Sequence, residues 1–256
     1  MAGFWITAFA FSFIFFATTL GASVVFFFKK GISYKINSFI LGLASGVMVA
    51  GSVWSLLLPS IEQAKSYFRG FAFFPAVIGV LLGGAFIALL DKIALKKLSG
   101  SSLQKSAKLF FAVTLHNIPE GLAVGFAFGA VAGIGTIPAY LSALGLAIGI
   151  GVQNFPEGVA VALPIKRAIN SRKRAFLWGM TSGLPEPLFA VLGYFLASWL
   201  RVLQPWLLAF SAGAMLFVSA DDLIPDSKQG ISVSLGAWGV LTGFALMMAL
   251  DVALGG

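Results

Sequence analysis

Charge is withheld from this sequence in long blocks. Residues 1–28, 36–61, 70–90, 202–220 and 229–250 contain no Asp, Glu, Lys or Arg at all. Between Lys108 and Lys166 the only charged residues are Glu120 and Glu157, and between Arg174 and Arg201 the only one is Glu186. No soluble surface can be built from such segments: charged residues are 10% of the chain and hydrophobic ones 59%, against about 25% charged in ordinary soluble domains. A spanning helix needs about 20 apolar residues. Each block holds one, and the stretch from Lys108 to Lys166 holds two, divided near the turn between Gly133 and Pro138. The expectation is an all-α, polytopic membrane protein: eight transmembrane helices forming a single domain over residues 1–256. The first block lacks a basic leader and is too long for a cleaved signal peptide, so it counts as a span.

Orientation follows from the basic residues. Lys29, Lys30 and Lys35 follow the first span; Lys92, Lys96, Lys97, Lys105 and Lys108 the third; Lys166, Arg167, Arg172, Lys173 and Arg174 the fifth; Lys228 the seventh. These are 14 of the 17 basic residues, and the opposite side keeps only Lys65, Arg69 and Arg201. The positive-inside rule makes the richer side cytoplasmic and puts both termini on the extracytoplasmic side of the cell (inner) membrane. The net charge of +8 is therefore a topology signal. Its partner is the lipid bilayer, with its anionic headgroups, and nucleic acid is not expected. There are no cysteines, which excludes disulfides and thiolate metal sites. A phosphate-binding G-x-x-x-x-G-K-[ST] loop is also missing, and the short loops leave no room for a nucleotide-binding domain, so the work is done inside the membrane without hydrolysing ATP.

Small residues recur at four-residue spacing: Gly42 and Gly46, Gly79 and Gly83, Gly121, Gly125 and Gly129, Gly145 and Gly149. They put glycine on one helix face, where backbones approach closely, and are read as packing.

The informative residues are the polar ones that do not belong in lipid. The fourth span contains His116-Asn117-Ile118-Pro119-Glu120-Gly121, and the fifth Gln153-Asn154-Phe155-Pro156-Glu157-Gly158. The hexads repeat 37 residues apart with Asn, Pro, Glu and Gly in register. The two spans run in opposite directions, so one motif is presented twice about a pseudo-two-fold axis in the membrane plane, where transporters place central sites. Within each hexad the first, second and fifth residues share one helix face. Each proline removes an N–H and pushes away the carbonyl four residues back, on Leu115 and Val152, while the following glycine gives room. The expected result is a cage of one imidazole, two carboxylates, three amides and freed backbone oxygens.

Such a cage suits a divalent cation. Two carboxylates offset its charge, and the mixed nitrogen and oxygen donors suit zinc, iron(II), manganese, cobalt or cadmium. Without a cation, adjacent ionised glutamates in low dielectric are costly, so metal and protons compete for the site. A lone buried asparagine would serve as glue between helices. Two glutamates, a histidine and a glutamine repeated in register point to function, because ionisable residues inside a membrane are expensive. Glu186, between Pro185 and Pro187 in the sixth span, is either a further ligand or a structural carboxyl. Asp91, with Asp221, Asp222 and Asp226 at the end of the seventh span, is either a cytoplasmic exit path for metal or a set of solvated helix-end charges. Glu62 and Asp251 are read as ordinary boundary charges on the outer side.

These residues resemble the ZIP (Zrt-, Irt-like protein) family of divalent metal transporters, its GufA-like bacterial branch in particular. The two hexads are similar to that family's fourth- and fifth-helix signatures, as are Ala44 to Met48, Glu186-Pro187, and Ala212 to Phe217 continuing through Ile224-Pro225-Asp226. The resemblance covers essentially the whole chain. It implies a ZIP-like bundle with a two-metal site: His116, Glu120, Gln153 and Glu157 on one half, Asn117, Asn154 and Glu186 on the other, both repeated glutamates bridging. It also implies release past Asp91, Asp221 and Asp222, an elevator-like motion of the first, fourth, fifth and sixth helices against the rest, and often a homodimer. Gln153 stands where many relatives carry histidine, and the segment from Lys96 to Lys108 is short and basic rather than histidine-rich. The expectation is thus a non-enzymatic importer of divalent metal, zinc foremost, by alternating access. The metal is cargo and no catalytic cofactor is expected. The rival readings are an intramembrane metal-dependent hydrolase, for which one histidine and no HExxH are poor material, and a metal-selective cation channel.

Overall fold

The computed structural model describes residues 2–27, 33–95, 102–197, 201–228 and 233–255. Every regular element among them is helical. They group into rods α1 (Ala2–Ser23), α2 (Tyr34–Phe71), α3 (Phe73–Leu95), α4 (Ser102–Ala132), α5 (Ile137–Ile169), α6 (Arg172–Ser182 and Pro185–Ala197), α7 (Gln204–Ser227) and α8 (Val233–Gly255). Six stretches among the described residues are long and apolar enough to cross a membrane, lying in α1, α2, α3, α5, α7 and α8. The other two rods are α4, which carries the first hexad, and α6, which is broken.

The helix ends follow local chemistry. The turn between α4 and α5 falls where expected, with Gly135 at φ 72° and Pro138 in the first turn of α5. Asn170, one of the few side chains that tolerate a left-handed backbone, ends α5 at φ 49°. Pro119 and Pro156 both lie inside continuous helices. Three features differ from the sequence reading. Rod α2 runs past the expected boundary at Ile61, carrying an exposed Glu62–Lys65 ion pair, and its α-helix gives way to a last 3-10 turn only at Arg69, whose φ is 46°. Rods α2 and α7 each contain a π-helical stretch, Ser52–Leu57 and Ser219–Leu223. Rod α6 breaks at Gly183 and Leu184, where a glycine, a poor helix former, ends one helix and Pro185 disfavours helix at the residue before it, so Glu186 lies in the first turn of a new helix in mid-rod.

Packing is pairwise: α2 with α8, α1 with α5, α4 with α6, α3 with α7. Glycine sets each of these contacts. A side chain at Gly46 would strike the carbonyl of Val240, at Gly83 that of Phe210, at Gly125 that of Ala190, and at Gly158 that of Thr18. Backbones this close gain dispersion contacts that lipid tails cannot supply. The expected packing role holds for the stripes in α2, α3 and α4. It fails for Gly149, whose nearest neighbours are the side-chain tips of Met247, Ser55 and Asp251.

Candidate metal site

Antiparallel α4 and α5 bring the two hexads together in the core, and the new helix start in α6 brings Glu186 to them. Asn117, Glu120, Gln153, Asn154, Glu157 and Glu186 are all buried, none more than 1% exposed. His116 lies one turn before Glu120 on α4; its side chain falls outside the described residues. The site's closeness to the helix break follows from glycine: a side chain at Gly121 would collide with the carbonyl of Glu186 itself.

Glu186 is the hub of the hydrogen bonding. Its Oε1 accepts from Thr18 Oγ1 at 2.8 Å and from Asn117 Nδ2 at 3.1 Å, and its Oε2 accepts from Asn154 Nδ2. Asn117 Nδ2 also donates to the Ser182 carbonyl at 2.9 Å, and Asn154 Nδ2 to the Ile14 carbonyl at 3.2 Å. Both amides therefore spend both N–H groups, and the acceptors they meet fix which way each amide faces. The other end of each amide is then an acceptor. Among the described residues no donor reaches Asn117 Oδ1 or Asn154 Oδ1, although both atoms are buried. On the other side of the site Gln153 Nε2 donates to Glu120 Oε1 at 2.6 Å. That leaves Gln153 Oε1 facing α2, where only glycine at position 51 leaves it space.

The chemistry of this donor set is one-sided. Glu120 lies within electrostatic range of both Glu157 and Glu186. A buried carbonyl oxygen without a donor costs about 1–3 kcal/mol. Carboxylates that repel one another and buried amide oxygens without donors are jointly relieved by a cation, and by a multivalent one most.

Of the sequence-predicted residues, Asn117, Glu120, Gln153, Asn154, Glu157 and Glu186 are brought to one place. Sequence reasoning missed Thr18 and the Ile14 carbonyl, both from α1. The Thr18-Thr19 pair interrupting an apolar run was the available signal for the first, whereas a backbone carbonyl has none. Asp91 on α3 and Asp221 and Asp222 in the π stretch of α7 form a separate group, with ligand atoms within 4.8 Å of one another, at the far end of α7 from its start at Gln204. Asp251 is not the boundary charge expected: it is half-buried and its Oδ1 accepts from Ser55 Oγ at 2.6 Å.

Fold and site together define a multi-pass, all-helical membrane protein with an acidic, acceptor-rich centre. Its sequence matches the family described as ZIP Zinc transporter over residues 96–251. It is 35% identical to zinc transporter ZIP11 of Homo sapiens, an alignment covering 93% of this chain and 94% of that protein. It is 37% identical to zinc transporter GufA of Myxococcus xanthus, covering 93% and 95%. It is 30% identical to zinc transporter ZupT of Corynebacterium aurimucosum, covering 96% and 97%. The chain belongs to the ZIP family of zinc transporters.

Proposed function

We propose that this protein carries a divalent metal ion, zinc foremost, across the cell membrane into the cytoplasm by alternating access through the site between α4, α5 and α6. The observation that carries this is the pair of buried amide oxygens, Asn117 Oδ1 and Asn154 Oδ1, held without donors beside a carboxylate network. His116, Glu120, Gln153 and Glu157 hold one ion. Asn117, Asn154 and Glu186 hold the second, with Glu120 and Glu157 facing both. Thr18, from α1, orients Glu186.

The chain crosses the membrane eight times with both termini outside. Rods α1, α4, α5 and α6 move as one body against α2, α3, α7 and α8, and the packing supports that division. All four glycine-seated pairs fall within one group or the other, whereas Gln153 meets α2 and Gly149 meets α2 and α8 through side chains. Side-chain contacts slide more readily than interlocked backbones. Released metal passes Asp91, Asp221 and Asp222. No ATP is needed: an inside-negative potential supplies roughly 2.3 kcal/mol per charge per 100 mV, twice that for a divalent ion. The relatives are named as transporters, and the hydrolase reading gains no support from the site.

The test is zinc uptake into proteoliposomes. Wild-type protein should give saturable uptake at carrier rates, and Glu120→Gln should abolish it while the protein stays folded. Uptake by Glu120→Gln equal to wild type would refute the site.

A further inference from the structure

The two groups of rods are hydrogen-bonded within themselves. In the central site Thr18, Asn117, Gln153 and Asn154 donate to partners on α1, α4 and α6. In the other group Ser38 donates to the Ser227 carbonyl, Ser55 to Asp251 and Ser60 to the Pro205 carbonyl, all within α2, α7 and α8. Ser211 breaks this pattern. It stands on α7, is 1% exposed, and its Oγ donates at 2.9 Å to the carbonyl of Pro119 on α4, the residue before Glu120. The same Oγ lies 2.9 Å from the Leu207 carbonyl of its own helix. A hydroxyl carries one proton, so either carbonyl can take it.

The position of this bond decides what it can hold. A cavity of about 870 Å3 parts the two groups where α4 ends and α5 and α7 begin, which the orientation above makes the outer face. Ala127, Ala130 and Ser142 line one wall, and Trp54, Gln204 and Leu208 the other. Ser211 lies one turn beyond Leu208 on α7. At the opposite, cytoplasmic end the groups touch again, with the Arg167 guanidinium of α5 lying 5.1 Å from the centre of the Tyr34 ring of α2. The groups are therefore parted outside, bonded beside Glu120 and in contact at the cytoplasmic rim. Sliding α4 along α7 takes the Pro119 carbonyl away from Ser211, but at little cost. The hydroxyl falls back on Leu207, so no buried donor is left bare, and Pro119 stays inside a continuous helix.

We infer that Ser211 is a positioning residue for transport: a hydroxyl latch on α7 that holds Pro119, and with it Glu120, in the register open to the outside. The inference rests on the two-body motion proposed above. A bond present in both registers would bias neither. One that exists in a single register, with a stand-in acceptor in the other, shifts the equilibrium without trapping it.

The test is the distance between spin labels on cysteines replacing Ser142 on α5 and Gln63 on α2, which line the cavity from the two groups, measured by pulsed EPR in lipid vesicles. The labelled chain should show two populations, one with the cavity open and one with it closed. Ser211→Ala should raise the closed-to-open ratio about fivefold, the effect of losing one ordinary hydrogen bond. Ser60→Ala is the control. It removes the hydroxyl of another buried serine that donates to a proline carbonyl, at 2.6 Å, but inside one group, and it should leave the ratio unchanged. A ratio that ignores Ser211→Ala, or that shifts equally in both variants, overturns the latch. Zinc uptake is followed in the same vesicles. One population in every chain with uptake intact overturns the two-body motion, and the latch with it; two populations whose ratio ignores Ser211→Ala overturn the latch alone.

Discussion

Replacing Gly158 by alanine tests how α1 is held to the site. The added carbon would meet the carbonyl oxygen of Thr18 and lie 2.8 Å from the nitrogen of Ala22, both backbone atoms of α1. Ordinary carbon contacts begin at roughly 3.5 Å, so α1 must retreat by about 1 Å. Overpacking of this kind costs about 1–3 kcal/mol. The retreat also stretches the 2.8 Å bond from Thr18 to Glu186 beyond hydrogen-bonding range, and a bond to a charged group contributes about 1.5–3 kcal/mol. Because one displacement causes both losses, we expect a combined cost of roughly 3 kcal/mol. Gly149→Ala is the control. Its nearest neighbours are side-chain tips at 3.2–3.5 Å, which can give way, so its cost stays below about 1 kcal/mol. Thermal unfolding of purified protein in detergent should show a clearly lower midpoint for Gly158→Ala than for Gly149→Ala, with zinc uptake falling in parallel. Equal midpoints for the two variants would refute the close α1–α5 contact as the support of Glu186.

Three further outcomes are expected. Because the chain lacks cysteine, single replacements report topology cleanly: a cysteine at Ser171 should label only from the cytoplasm and one at Ser66 only from outside, and labelling of both from one side would end the eight-span arrangement. Glu186→Gln keeps the shape of the hub but removes its charge, so calorimetry should show bound zinc falling from two ions per chain toward one, while Glu120→Gln loses both; unchanged stoichiometry would make Glu186 a purely structural carboxyl. Metal and protons compete for the same carboxylates, so the apparent zinc affinity in uptake assays should weaken as external pH is lowered, and a flat profile would count against a carboxylate site.

Much of this molecule is written in its charge distribution. The blocks without charge mark the rods, and the in-register hexads from His116 and Gln153 mark the central site, because both signals are set by what lipid excludes. Other features have no local signature. The break in α6 needed the geometry around Pro185 as well as its presence, since proline alone leaves α4 and α5 continuous at Pro119 and Pro156. The π stretches in α2 and α7 carry no mark in the charge pattern. Thr18 becomes a partner of Glu186 only because Gly158 and Gly21 seat α1 against α5. Asp251 reads as a boundary charge until Ser55, Gly149 and Met247 from three helices are seen beside it.

The most direct test is to locate the ion. Crystals grown with cadmium, a dense stand-in for zinc, reveal bound ions by anomalous scattering. The predicted result is cadmium between α4, α5 and α6, coordinated by Glu120 and Glu157 and reached by the side-chain oxygens of Asn117 and Asn154. Cadmium bound only elsewhere, for instance at Asp91, Asp221 and Asp222, with those amide oxygens still bare, would contradict it.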